Sequence, residues 1–417
     1  MHLQRLLKPV RDLMRSTRAR NGLTTNALSS VGNLGLTFAI VNRSSLATVG
    51  MFALAFSIYA FATSVVKAAI TESVLSVVGS VRRRDDAGHE VSLSGLVLAV
   101  AIVAVGLGLR SPFIILTGVS IHGVLVYDYI KVTQMALLDP RVALRQELVW
   151  TAVTLCGAAA GLARIVGVEG VYGIWALSCA LIGYASAIRL KVAISPSWPS
   201  KRRETRLTGL YAFDQIIGPG TVLLTTYLLA GLSGLAVVGA LRAAGAFFGP
   251  LSIVSTTGRS LSIPFLARAQ LLGPRHELRA ALRITGVQVA ALAPIALLVS
   301  ILPLPFLSLL VGTSSASVKP LLLPLAIESV LNLASTVAFS GHRAQRAGLR
   351  TVAVFSATGS VRFLMVLLGA HYAGAQGAAG GAAAAASIGM IVIWWSYHDV
   401  VVKNAAASAL RRSGLSI

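Results

Sequence analysis

Apolar stretches of about 20 residues, the length a helix needs to cross the hydrocarbon layer of a bilayer, recur along this chain from end to end. A backbone in lipid must satisfy its own hydrogen bonds, so a chain built of such stretches folds as a bundle of helices. Twelve candidates run approximately over 22–41, 49–70, 91–109, 113–136, 148–163, 171–188, 208–230, 234–255, 282–302, 320–340, 351–370 and 374–395. Charged residues make up 12% of the chain, against about 25% in soluble domains, and the mean hydropathy is +0.79. The composition is that of an integral membrane protein.

The basic residues test the count, because cytoplasmic connections hold the excess of Lys and Arg. With the N-terminus inside, 28 of the 36 fall in inner segments, among them Arg82-Arg83-Arg84 and the stretch from Arg189 to Arg206. Four lie in outer loops, Arg43, Arg110, Arg164 and Lys319, and four lie within spans, Lys67, Lys131, Arg242 and Arg362. This alternation predicts twelve spans with both termini cytoplasmic. It also accounts for the net charge of +22 as a topology signal with attraction to anionic lipid headgroups, and leaves nucleic acid no part as a partner. The basic start followed by a full-length apolar run, without a small-residue cleavage pattern, predicts a retained first helix.

The halves are related. Leu46-Ala47-Thr48-Val49-Gly50 returns as Leu235-Ala236-Val237-Val238-Gly239, displaced by 189 of 417 residues. The charge pattern puts both copies at the outer ends of spans two and eight, which makes the repeat a parallel one. The expected organisation is an N-terminal six-helix lobe over 1–190, a polar linker over 191–206 with Pro196 and Pro199, and a C-terminal six-helix lobe over 207–417. The outer loop from Pro303 to Lys319 is itself apolar and leaves no room for an extracytoplasmic domain.

Motifs of soluble enzymes and metal proteins are missing. No CxxC, HExxH, Walker or GxGxxG context occurs, and Cys156 and Cys179 sit in apolar runs as inert buried thiols, so neither a metal nor another cofactor is expected. Function therefore rests on ionisable residues at membrane depth, which cost several kcal/mol unless paired or hydrated and mark sites by default. Arg362 falls near the middle of span eleven, Arg242 in the outer half of span eight and Lys67 in the inner half of span two. As a ladder they suit a partly desolvated anion such as a phosphorylated headgroup. The competing reading pairs each with Asp214, Glu328, a nearby Glu72 or a backbone carbonyl for structure alone. Asp128 and Lys131, spaced i, i+3, share one face of span four. They form either an ion relay, with Asp128 as the titrating group of coupling to a proton or sodium gradient, or a packing salt bridge with each other. Asp214 has the same two readings. His122 lies about 120° round the helix from Asp128 and is expected to be a hydrogen-bonded packing residue.

Gly218-Pro219-Gly220 in span seven removes a backbone hydrogen bond and predicts a kink or hinge, and Gly249-Pro250 in span eight does likewise. The pairs Gly157/Gly161, Gly245/Gly249 and Gly377/Gly381 predict close helix packing. Tyr127, Tyr129, Trp150, Trp175, Trp394 and Trp395 read as an interfacial belt, with Trp150 and Tyr211 as alternative platforms for a sugar ring.

Two phrases give the chain a family likeness. One runs from Ser45 through Gly50, Phe52, Ala53, Leu54 and Ala55; the other runs from Tyr127-Asp128-Tyr129-Ile130-Lys131 through Asp139-Pro140 to Glu147 and Trp150. With Asp214-Gln215, the segment from Val238 to Leu251 and Leu309-Leu310-Val311-Gly312, they resemble the multidrug/oligosaccharidyl-lipid/polysaccharide flippase superfamily, most closely its polysaccharide-biosynthesis (Wzx-type) branch. Lys131 stands where Arg is common and Glu147 near a frequent Asp. The resemblance implies a MATE-like all-α fold and a bacterial cytoplasmic-membrane transporter that turns a polyprenyl-diphosphate-linked oligosaccharide to the outer leaflet by alternating access. Its partners would be membrane lipids, that lipid-linked substrate, and the glycan polymerase and glycosyltransferases of the same route. A cation-coupled multidrug exporter of the same fold, and a membrane-embedded enzyme of lipid-linked glycan assembly, are the alternatives.

Overall fold

The computed structural model describes residues 17–72, 81–137, 139–197, 205–345 and 347–412. Every regular element among them is a helix: α1 (Thr17–Arg43), α2 (Leu46–Val66) continued by a π-helical turn (Lys67–Glu72), α3 (Val81–Gly108), α4 (Pro112–Leu137), α5 (Pro140–Leu162), α6 (Val168–Leu190), α7 (Thr205–Ser233), α8 (Leu235–Ala246), α9 (Gly249–Gln270), α10 (Pro274–Ser300), α11 (Leu304–Val311), a 3-10 turn (Gly312–Ser314), α12 (Ser315–Ala344) and α13 (Gly348–Arg412). Each of the twelve expected spans falls on helix. Span eight is divided between α8 and α9, and α13 holds spans eleven and twelve on two arms that meet at Ala373 and at Gly374, whose φ is 56°. Among the described residues, eight helical stretches are by themselves long and apolar enough to cross a membrane. The more polar α1, with Asn21, Asn26 and Asn33, and α5, with Arg141, Arg145, Gln146 and Glu147, belong to the bundle through packing instead.

Local chemistry sets the helix ends. The Ser45 hydroxyl accepts from the Thr48 N–H at the start of α2, and the Asp139 carboxylate from the Arg141 N–H ahead of Pro140 at the start of α5. Arg110, Arg164 and Lys191 end α3, α5 and α6 in the left-handed region, with φ of 50°, 64° and 53°. A cation there faces the negative end of the helix dipole, which offsets part of the strain. Both copies of the repeated phrase open a helix, Leu46 beginning α2 and Leu235 beginning α8, and Val49, Gly50, Val238 and Gly239 are all buried.

The chain divides into two compact units, Met1–Thr226 and Tyr227–Ile417. The division falls within α7, beyond the polar connection over 191–206, and Gly220 lies against the Phe61 ring of the first unit. In the first unit α4 is the central helix, packed by α2, α3, α5 and α6; in the second α12 is central, packed by α8, α9, α10 and α13. These are spans four and ten, the same place in each six-helix set. Both are sheathed by their own unit, whereas α10 and α13 each carry an apolar stretch that is little buried.

Two of the three glycine pairs do pack closely. A Cβ on Gly377 would lie 1.9 Å from the Gly369 carbonyl oxygen, and one on Gly381 2.1 Å from that of Met365, so the arms of α13 cross backbone to backbone. Gly157 and Gly161 meet Ile174 and Val171 of α6, while Gly245 and Gly249 have open space about them. The helix breaks at Phe247–Phe248 before Gly249-Pro250, as that dipeptide predicts. At Pro219, by contrast, α7 stays helical throughout, with Thr221 Oγ1 bonded to the Ile217 carbonyl at 2.5 Å.

Candidate functional site

The first unit gathers its polar side chains round Glu147. This carboxylate, on α5, is fully buried, and a charge there needs a counter-ion. Lys131 of α4 supplies it, with Nζ 2.6 Å from Oε2, and the Tyr127 hydroxyl donates to the same oxygen at 2.7 Å. The expected Asp128–Lys131 pair is therefore corrected. Lys131 reaches across to the next helix because the deeper acid has the greater need, and Asp128 is left half-buried with no hydrogen bond or ion pair among the described residues.

Aromatic rings close this cluster on one side. Tyr127 packs on Trp150 with ring centres 5.6 Å apart, Trp150 on Trp175 at 5.9 Å, and Trp175 on Tyr172 at 5.2 Å and Tyr59 at 4.9 Å. The Trp150 indole donates to the Trp175 carbonyl, and the Trp175 indole to Asn33 Oδ1 of α1. The interfacial belt expected of these residues is corrected for Trp150, Trp175, Tyr127 and Tyr129, all of which are buried. Each indole N–H has a partner inside the lobe, which lets a ring made for an interface serve as core. Burial also takes Trp150 out of reach of a sugar, while the side chain of Tyr211 lies outside the described ones. Trp395 is exposed as a belt residue would be; Trp394 donates to the Ala334 carbonyl. Cys179 is buried beside this core, but Cys156, expected to be buried too, is exposed on α5.

In the second unit Arg362, on the first arm of α13, meets Glu328 of α12. Its Nε and Nη2 both donate to Oε1, at 3.0 and 2.7 Å. The Glu328 side chain is 10% exposed and that of Arg362 40%. Two of the five guanidinium N–H groups are thus used, and Nη1 has no hydrogen bond among the described residues. Of the two readings of Arg362, the pair with Glu328 is present, and it orients the cation without covering it. Arg242, on α8 between the buried Ala240 and Ala243, is half-buried with Nε enclosed. Lys67 is the first residue of the π-helical turn, and its ammonium makes no hydrogen bond or ion pair among the described residues. Such turns widen the helix locally and occur often at functional positions. The side chains of Asp214 and Glu72 lie outside the described ones.

A second polar cluster escaped the sequence reading. Near the ends of α10, α12 and α13 the buried Glu277 accepts from Gln345 Nε2 at 2.6 Å and from the Tyr397 hydroxyl at 2.8 Å, and Gln345 Oε1 accepts from Gln270 and Asn404. Beside it His342 and Arg350 share the Ser396 hydroxyl, and Arg350 and Lys403 pair with Asp399. These residues come from four stretches of sequence with no common spacing. The one signal was an acid, Glu277, among five inner-segment cations. No group of three or more His, Cys, Asp or Glu fit for a metal ion occurs among the described residues.

No protein-family model matches the sequence, and no curated protein does. Solved structures do. A multidrug resistance MATE family transporter of the MOP superfamily, inward-facing, matches with a TM-score of 0.64 at 16% identity, over 92% of this chain and 95% of that one. The lipid II flippase MurJ, in an inward closed conformation, matches at 0.63 and 10% over 91% and 90%. A MOP superfamily transporter from Pyrococcus furiosus, described as having a binding pocket of reversed polarity, matches at 0.60 and 13% over 91% and 94%. The chain has the all-α membrane fold of these transporters.

Proposed function

We propose that the protein is an alternating-access transporter that turns a polyprenyl-diphosphate-linked oligosaccharide, the repeat unit of a polysaccharide, across a bacterial cytoplasmic membrane, with both termini cytoplasmic. The observation that supports this reading most is Arg362, a half-exposed guanidinium at mid-span, held by one edge on Glu328 and with no hydrogen bond at Nη1 among the described residues. An oriented guanidinium edge suits the oxygens of a diphosphate, and the half-buried Arg242 in the same unit adds a second positive group. A sugar-bearing diphosphate lipid would come from glycosyltransferases and pass to a glycan polymerase, the partners this reading names.

Asp128 supports the coupling half of the proposal. It is a half-buried acid with no ion pair among the described residues, on the central helix of its unit, next to a buried pair that engages Lys131. Proton or sodium binding there would drive the cycle. The same acid favours the second reading, a cation-coupled multidrug exporter. The test is reconstitution in proteoliposomes with a fluorescent polyprenyl diphosphate carrying a disaccharide, scored by chemical quenching of the leaflet it leaves. Translocation that needs Arg362 is expected; translocation of a cationic dye, with none of the diphosphate lipid, overturns the main reading in favour of the second.

A further inference from the structure

The connection from α6 to α7 does not hang free at its start. Lys191 ends α6 in the left-handed conformation, and the Val192 N–H bonds back to the Ala187 carbonyl, so the chain turns at once. The next residues run along α3. A Cβ on Gly88 would lie 2.4 Å from the Ala193 carbonyl oxygen, a contact only glycine permits. One turn on, the fully buried Ser92 hydroxyl donates to the Ile194 carbonyl at 2.5 Å. His89 then grips Ser195, with Nδ1 2.6 Å from its carbonyl oxygen and 3.0 Å from its hydroxyl.

The anchor is tied into the bundle behind it. A serine hydroxyl has one hydrogen, and that of Ser92 is given to Ile194, so Ser92 accepts from His122 Nε2 at 2.9 Å. His122 Nδ1 then accepts from the Tyr184 hydroxyl at 2.7 Å. One directed chain of hydrogen bonds therefore runs from α6 through α4 and α3 to the connection. It gives His122 the packing role expected of it, and gives that packing a purpose.

We propose that residues 192–195 are a fixed strap. Gly88, His89 and Ser92 hold it against α3 through the whole transport cycle, so that these residues move with α3. Its bearing on transport rests on the function proposed above; its attachment does not.

The test joins strap and helix by a disulfide, with His89→Cys and Ser195→Cys in a Cys156→Ala, Cys179→Ala background. In folded, monodisperse protein the bond should form nearly to completion under mild oxidation, and Gly88→Val added to the set should abolish it. In proteoliposomes the oxidised protein should move the fluorescent diphosphate lipid as fast as the reduced protein. Failure to cross-link, or transport lost on oxidation and regained with reductant, overturns the strap. If neither form moves the probe, the substrate reading fails while the strap is judged on cross-linking alone.

Discussion

Replacing Lys131 by Met should strand the Glu147 carboxylate without changing the helix it sits on. At the observed 2.6 Å the Coulomb attraction is ~6 kcal/mol for an effective dielectric of about 20, most of it offset by the desolvation of both ions. Stripping one partner from a buried pair typically costs about 3–5 kcal/mol. Tyr127 still donates to Glu147, which places the loss near the lower end, ~3 kcal/mol. For a unit of this size that is roughly 6–12 °C in Tm. Adding Glu147→Gln removes the stranded charge and keeps an acceptor for Tyr127, so the double variant should recover about two thirds of the loss. The assay is thermal unfolding of purified protein followed by loss of the monodisperse peak, at fixed detergent and salt. Equal destabilisation of the single and double variants would refute the reasoning, because the loss would then come from the missing lysine stem and not from the charge.

Other perturbations separate packing from function. Arg362→Ala should lower both stability and transport, the latter by at least about tenfold for a lost charge-assisted contact. Combining it with Glu328→Gln should restore the melting temperature but not the transport, and recovery of both would make the pair structural only. Asp128→Asn should leave stability within about 0.5 kcal/mol and abolish the acceleration of transport by an imposed proton or sodium gradient; an undiminished response removes Asp128 as the coupling group. Gly377→Val forces a branched side chain into a backbone crossing and should cost ~3 kcal/mol or more, whereas Gly245→Ala, with open space about it, should be neutral or stabilising by about 0.5–1 kcal/mol, both read by thermal unfolding.

What was legible in the sequence is what the bilayer dictates. Span length, basic connections and the Pro, Gly, Ser and Asp residues at helix ends are read one segment at a time, and each expected span falls on a helix. Pairing across helices is another matter. Asp128 and Lys131 are neighbours by spacing, but the partner of Lys131 is Glu147, chosen by burial that no spacing encodes. Trp150 and Trp175 misled in the same way, since their position in a span does not reveal that another helix accepts each indole N–H. The Glu277 cluster draws on residues from Gln270 to Asn404 and could be seen only after folding. At Pro219 the local signal allowed a break as well as a bend, and α7 runs through it without a break.

The central helices α4 and α12 also bear on how such a chain ages. Their side chains must fit several neighbours at once, so few substitutions are admissible there, while positions not covered by their own unit need only remain apolar. An apolar stretch of α10 and one of α13 are of the second kind. A fold arranged like this can hold its shape under substitution wherever a position need only stay apolar, and is least forgiving along one helix of each unit.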